Sequence, residues 1–207
     1  MKKSTTQFGV IGLTTITLLL LAIFILTLVS AGCSKDSKDK AEETNKARID
    51  GQSSAISKDA KDDAVKMADG MVSLASLNMT VRQLSDEAAK KAVNPSVKAY
   101  AQRMLREGDT QDRELSNLAK ALKIDLPASL SDDGRSSVKK LQKKDAGTAF
   151  DVQYLDELNK VVKKAANAAD DLSDDATNEA VRKYAATVNA AYDKRIDETK
   201  DLKNVLN

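Results

Sequence analysis

The side chains of this chain that could carry chemistry are carboxylates and a single thiol, because the sequence contains no histidine. The absence of histidine excludes histidine-ligated zinc, histidine-based catalytic triads and histidine-ligated haem. It also removes the side chain whose own pKa lies nearest neutrality. General acid or base catalysis would therefore require a carboxylate or a lysine with a shifted pKa.

A metal site made only of carboxylates is the remaining metal chemistry. The candidate ligands, all in the last third of the chain, are Asp151, Glu157, Asp193 and Asp197. The alternative is that these residues are solvated and pair with nearby bases on the same helix surfaces, namely Lys194, Arg195 and Lys200. We favour the alternative, because a hard-cation site needs several convergent oxygens. We therefore predict no metal ligand, no catalytic residue and no cofactor.

The only cysteine, Cys33, ends an apolar stretch that starts at Phe8 and follows Lys2 and Lys3. A basic start, an apolar core and small residues at the end are typical of an export signal. The ending of this stretch, residues 28–33, resembles the lipobox of bacterial lipoproteins, with Ser30 standing where those motifs usually carry Leu or another aliphatic residue. The resemblance implies signal-peptide cleavage between Gly32 and Cys33, and acylation of Cys33.

An uncleaved transmembrane helix is the alternative for the same stretch, because about twenty apolar residues can span a bilayer. We favour the lipoprotein, since the single cysteine stands at the expected cleavage point and a charged run begins directly after it. Similar Gram-negative lipoproteins are kept at the inner membrane by Asp after the cysteine. Here Ser34 follows it, so the resemblance favours an outer-membrane lipoprotein that faces the periplasm.

Cleavage before Cys33 would remove 32 of 207 residues and leave 175, enough for one domain. Without Lys2 and Lys3, the 33 basic residues become 31, against 31 acidic residues. Nucleic-acid binding is therefore not expected, because it needs a positively charged surface. We predict three regions: a signal peptide at 1–32, a lipidated Cys33 with a flexible charged tether at 33–57, and a helical domain at 58–207.

The domain is predicted to be all-α, because aliphatic residues recur at three- and four-residue steps and prolines are few. We predict a first helix over 58–91 and a second that starts at Asn94-Pro95, where Asn caps and Pro fits the first turn. Residues 129–145 read as a polar connection with one turn around Val138 and Leu141. A third helix follows Gly147, and a fourth starts near residues 173–175.

Residues 94–101 are similar in sequence to residues 178–185, at an offset of 84 residues. The repeat suggests a duplicated helical hairpin. Two hairpins that each expose one apolar stripe can bury both stripes by closing into an antiparallel four-helix bundle.

From about residue 63 to residue 206 the sequence resembles bacterial exported proteins of domain-of-unknown-function family 4142. The most specific match is residues 94–104, and the weaker ones include residues 68–71, 150–154 and 181–185. The resemblance implies a ferritin-like four-helix bundle. Family members typically carry histidines at positions that fall here near Gly108, among residues 161–164 and near Lys194. This chain has no histidine at any of them.

These observations predict a membrane-anchored envelope lipoprotein that is not an enzyme. Its helical domain would act as a structural or interaction module, held to the lipid bilayer through acylated Cys33 and contacting an envelope protein partner. The alternative is an envelope protein that binds metal through carboxylates, in the manner of ferritin-like proteins.

Overall fold

The computed structural model describes residues 35–206, and this part of the chain consists of helices without strands. The helices are α1 (Ser37–Asp50), α2 (Lys58–Lys91), α3 (Pro95–Leu122), α4 (Asp132–Gln142), α5 (Thr148–Asp175) and α6 (Glu179–Leu206). The all-α prediction is therefore confirmed. The predicted cleavage site at Gly32 and Cys33, like the whole apolar stretch before it, lies outside the described residues.

The long helices begin where the sequence places capping residues. Ser57 Oγ accepts a hydrogen bond from the Ala60 N–H, so α2 starts at Lys58 as predicted. Asn94 Oδ1 accepts from the N–H groups of Ser96 and Val97, with Pro95 in the first turn of α3. The start of α3 at Asn94-Pro95 is therefore confirmed.

The core lies between the four long helices, where α2 contacts α3 and α5, and α6 contacts α5 and α3. Aliphatic side chains fill most of this space, as the small number of aromatic residues requires. Gly70 marks a close approach, since a Cβ there would lie 2.9 Å from Leu172 Cδ1 of α5. The shorter helices α1 and α4 pack on α2 from outside this core.

All four tyrosines are buried, and each hydroxyl has a partner on another helix. The Tyr100 hydroxyl donates to the Arg195 carbonyl at 3.4 Å, and the Tyr184 hydroxyl donates to the Gln111 carbonyl at 3.1 Å. The Tyr154 hydroxyl lies 3.2 Å from Ser85 Oγ, and the Tyr192 hydroxyl donates to Asn78 Oδ1. These bonds satisfy polar groups that would otherwise be costly to bury.

Part of the segment predicted to be a flexible tether is instead the helix α1. Asp36 caps it, and its buried residues Ala41, Asn45 and Ile49 pack against the domain. The composition of this segment offers little apolar surface, but specific hydrogen bonds hold it in place: Asn45 bonds to the backbone of Asp125 in both directions. The prediction of a tether over 33–57 is therefore wrong for residues 37–50.

Two other boundaries differ from the sequence-based prediction. Residues 132–142 form a full helix, α4, with Val138 and Leu141 buried, where we expected a polar connection with one turn. The helix α5 continues through Asp175, and α6 begins only at Glu179. The Asn178 side chain accepts hydrogen bonds from the N–H groups of Ala180 and Val181, so Asn178 repeats the capping geometry of Asn94.

Over residues 35–206, no helix combines the length and the apolar character that crossing a membrane would require.

Candidate ligand-binding cleft

Asp151, one of the four candidate metal ligands, has a structural role: it binds backbone N–H groups just before the start of α3. Its side chain is fully buried, at 0% exposure. Oδ2 accepts a hydrogen bond from the Asn94 N–H at 2.8 Å, and Oδ1 accepts from the Val93 N–H at 3.2 Å. Both oxygens of Asp151 therefore serve backbone donors in the connection between α2 and α3.

The other candidates are dispersed. Asp193 and Asp197 are exposed on α6, and Asp197 Oδ1 bonds to Lys200 Nζ at 2.9 Å, in the kind of surface pair that was expected. Glu157 is buried on α5. Within residues 35–206, no group of three or more acidic or cysteine side chains is placed to hold a metal ion. The structure does not bring the four predicted carboxylates together.

Arg195 was expected on the surface but lies inside the domain. Its side chain is 4% exposed, and its guanidinium stacks on the Tyr192 ring at 4.8 Å from the centroid. Nη2 bonds to Glu107 Oε2 and Nη1 to Gln111 Oε1, each at 3.1 Å. Arg195 therefore joins α6 to α3 through an ion pair and a hydrogen bond.

Burial raises the pKa of each tyrosine above its ordinary value of 10.0, which already lies above neutral pH. It raises the pKa of Tyr192 to about 12 and raises the pKa values of Tyr100, Tyr154 and Tyr184 further above their ordinary value. At neutral pH these hydroxyls act as hydrogen-bond donors and not as bases. The resemblance places family histidines near Gly108, among residues 161–164 and near Lys194. Gly108 has open space beside it, Val161 is buried and Lys194 is exposed.

A cleft of about 550 Å³ is bounded by the start of α1, the middle of α2, the helix α4 and the middle of α5. We call this cavity the α4 cleft. Its polar lining residues include Asp36, Lys38, Ser73, Ser76, Thr80, Ser136, Lys140, Glu157, Lys160 and Lys164. At one edge of the cleft α4 approaches α2 closely at Gly134, where a Cβ would lie 2.5 Å from Thr80 Oγ1.

Three polar side chains that line the α4 cleft are almost fully buried, namely Ser76, Thr80 and Glu157, each at 3% exposure. Thr80 Oγ1 donates to the Ser76 carbonyl at 3.0 Å. Glu157 Oε1 accepts from Gln153 Nε2 and from Lys160 Nζ, both at 3.1 Å. A buried carboxylate is uncommon unless it is paired, so Glu157 is the most distinctive group of this cleft.

The mouth of the cleft is held together by the start of α1. Asp36 Oδ2 accepts from the Asp132 N–H at 2.7 Å, and Oδ1 accepts from the Lys38 N–H at 3.0 Å. Burial acts to raise the pKa of Asp36, but these two hydrogen bonds, together with the positive charges of Arg135 and Lys38, lower the pKa below its ordinary value. Asp36 therefore links α1 to α4 as an ionised group at neutral pH.

Sequence reasoning missed this cleft for two reasons. It treated residues 33–57 and 129–145 as irregular, so neither wall was expected. It considered Glu157 only as a metal ligand or as a solvated surface residue. One signal was present: Ser73, Ser76 and Thr80 follow one another at helical spacing inside the apolar helix α2. Such a polar stripe indicates that one face of the helix borders a polar space.

The described residues form an all-helical domain with a polar cleft on one side and a buried arginine in its interior. The family described as "Domain of unknown function (DUF4142)" matches residues 52–202. This chain belongs to that family, as its resemblance predicted. No curated protein and no solved structure matches the chain.

Proposed function

We propose that this chain is an acyl-anchored lipoprotein of the cell envelope whose helical domain works as a non-catalytic interaction module. We further propose that α2, α3, α5 and α6 form an antiparallel, ferritin-like four-helix bundle, to which α1 and α4 are added. The contacts of α2 with α3 and α5, and of α6 with α5 and α3, support this arrangement.

The observation that carries the proposal is the short distance in sequence between Cys33 and the folded domain. Asp36 caps α1 only three residues after Cys33, and Asp36 and Ser37 both bind the backbone of residues 128–132. Three residues span at most about 11 Å at 3.3–3.6 Å each. An acyl chain on Cys33 would therefore hold the start of α1 near the lipid surface, without the long tether that we first expected.

A non-catalytic role agrees with the chemistry of the described residues. Both oxygens of the buried Asp151 accept hydrogen bonds from backbone N–H groups, and Glu157 pairs with Lys160 through Oε1. The buried tyrosines remain protonated at neutral pH. Turnover of a small molecule by the purified chain, or stoichiometric iron or manganese that survives dialysis, would contradict this part of the proposal.

The anchor is tested by Cys33→Ala, compared with Ser34→Ala as a control that keeps the thiol. We expect the Cys33→Ala chain to accumulate as an uncleaved precursor that incorporates no radiolabelled palmitate, while the control is processed and labelled. Equal mass and equal labelling of the two variants would reject the anchor. Membrane fractionation tests the address: we expect the native chain in the outer membrane of a Gram-negative cell, and Ser34→Asp in the inner membrane.

The interaction role is tested by cross-linking in intact cells. We choose the α4 cleft as the surface to test, because it adjoins the start of α1. If a partner contacts this surface, a photoreactive residue introduced at exposed Ser136 should give a discrete cross-linked product. The same residue at exposed Asn117 of α3, which does not line the cleft, is the control. Identical product patterns from the two positions would show that the contact is not specific to this surface.

A further inference from the structure

Glu157 lines the α4 cleft and is 3% exposed, and its Oε2 is not closed off from solvent as Oδ1 of Asp69 is. Both hydrogen bonds of Glu157 fall on Oε1, and Oε2 has no hydrogen-bond partner among residues 35–206. Its counter-charge, Lys160, is 64% exposed, so water screens much of the charge that it supplies. A ligand that donates a charged hydrogen bond would complete this group, and an ammonium fits best.

The cleft also offers a place for negative charge. Lys140 of α4 lines it and has no hydrogen-bond or ion-pair partner in the described part of the chain. By contrast, Lys38 pairs with Glu42 at 2.7 Å, and Lys164 pairs with Asp133 at 3.4 Å. Lys140 is therefore the lysine that is available to a ligand carboxylate.

The charge of the lining as a whole indicates what kind of ligand fits. Four lysines line the cleft, and four acidic residues balance them: Asp36, Asp132, Asp133 and Glu157. A polyanion or a polycation would meet as much repulsion as attraction. A small molecule that carries one charge of each sign meets complementary groups at both ends.

We propose that the α4 cleft binds a small zwitterion, a free amino acid or a short peptide. Its ammonium donates to Glu157 Oε2 and its carboxylate accepts from Lys140. The hydroxyls of Ser73 and Ser76, which also line the cleft, are available to its polar backbone atoms. The volume of about 550 Å³ is in the range of small-molecule sites. This inference goes beyond the protein-interaction role proposed above, because it assigns a small-molecule ligand to the cleft.

The test is isothermal titration calorimetry of the full-length chain in detergent with alanyl-alanine as the probe. N-acetyl-alanyl-alanine removes the ammonium, and alanyl-alanine amide removes the carboxylate. We expect saturable binding of alanyl-alanine, and affinity at least about tenfold weaker for each blocked dipeptide, or about 1.4 kcal/mol. No saturable binding of alanyl-alanine, or equal affinity for all three probes, would overturn the proposal.

Variants assign the two ends of the ligand. Glu157→Gln should weaken alanyl-alanine binding about tenfold while leaving the weak binding of the N-acetyl probe unchanged. Lys140→Gln should also weaken alanyl-alanine binding about tenfold, while leaving the weak binding of alanyl-alanine amide unchanged. Glu114→Gln and Lys139→Gln, at exposed positions outside the cleft lining, are the matched controls and should bind normally.

The design separates failure of the inference from failure of the anchor. The Cys33→Ala chain should bind alanyl-alanine as well as the native chain does, because no lining residue changes. If Glu157→Gln fails to fold, Lys140→Gln remains decisive because Lys140 is exposed. Normal alanyl-alanine binding by a folded Lys140→Gln chain would refute the assigned contact.

Discussion

Asn45 and Asp125, separated by 80 residues in sequence, exchange two hydrogen bonds. Asn45 Nδ2 donates to the Asp125 carbonyl at 2.9 Å, and the Asp125 N–H donates to Asn45 Oδ1 at 2.8 Å. Asn45 is fully buried, at 0% exposure. The Asn45 side-chain amide therefore pairs with the backbone beyond the end of α3, as a neighbouring strand would, and this pairing holds α1 on the domain.

Asn45→Ala should release α1, because it removes both of these hydrogen bonds. We expect a loss of about 1–3 kcal/mol in the free energy of unfolding, measured by urea denaturation. Amide hydrogen exchange of residues 37–50 should become faster, while exchange in α5 stays slow. Lys46→Ala, at the exposed neighbouring position, is the control. Unchanged protection of residues 37–50 in Asn45→Ala would show that other contacts hold α1.

The sequence predicted the long helices well because their apolar periodicity and caps are local signals. It could not predict α1, since only Ala41 and Ile49 are its buried apolar residues and its attachment depends on Asn45 and Asp36 meeting distant backbone groups. It misplaced the start of α6 because the acidic residues 173–175 suggested a helix start. The repeat itself, which aligns Asn178 with Asn94, contained the correct boundary.

Asp151→Ala should destabilise the domain, since it leaves the N–H groups of Val93 and Asn94 without their shared carboxylate. Hydrogen bonds to a charged group are worth about 1.5–3 kcal/mol, and we expect a loss of about that size by urea denaturation. Asp156→Ala, which removes a partly buried pair with Lys203 near the surface, should cost under about 1 kcal/mol. Equal losses in the two variants would argue against the capping role of Asp151.

Gly134→Ala should force α4 away from α2, because the added Cβ would lie 2.5 Å from Thr80 Oγ1. Overpacking of this kind typically costs about 1–3 kcal/mol. Thr80→Ala removes the atom that clashes, so the double variant should lose less stability than the sum of the two single variants, with a coupling of at least about 0.5 kcal/mol. Strict additivity in urea denaturation would show that α4 does not approach α2 this closely.

The site was harder to predict than the fold for a physical reason. Its walls come from four helices, and two of them, α1 and α4, are short and polar, with few apolar residues to indicate them. Glu157 was recognised as a carboxylate, but sequence could not show that it lines a cleft with residues of α1, α2 and α4. Arg195 was expected on the surface because the sequence surrounds it with Lys194 and Asp193, yet stacking on Tyr192 allows it to be buried.

Asp69 on α2 should make the stability of the domain depend on pH. Burial, and next the negative charge of Glu42, raise the pKa of Asp69 above its ordinary value of 3.8, and Oδ1 has no hydrogen-bond partner in the described residues. Below pH 3.8 both the folded and the unfolded chain hold the proton, so the group has no effect. As pH rises above that value, the unfolded chain ionises more readily, and the folded state loses stability.

Asp69→Asn should therefore raise the melting temperature at neutral pH but not at pH values below 3.8. The carboxyl is partly exposed, so we expect a gain below about 1 kcal/mol, which corresponds to at most about 2–4 °C. Asp62→Asn, at an exposed position of the same helix, is the control and should show no such dependence. A gain of equal size at both pH values would mean that packing of the amide, and not removal of a disfavoured charge, is the cause.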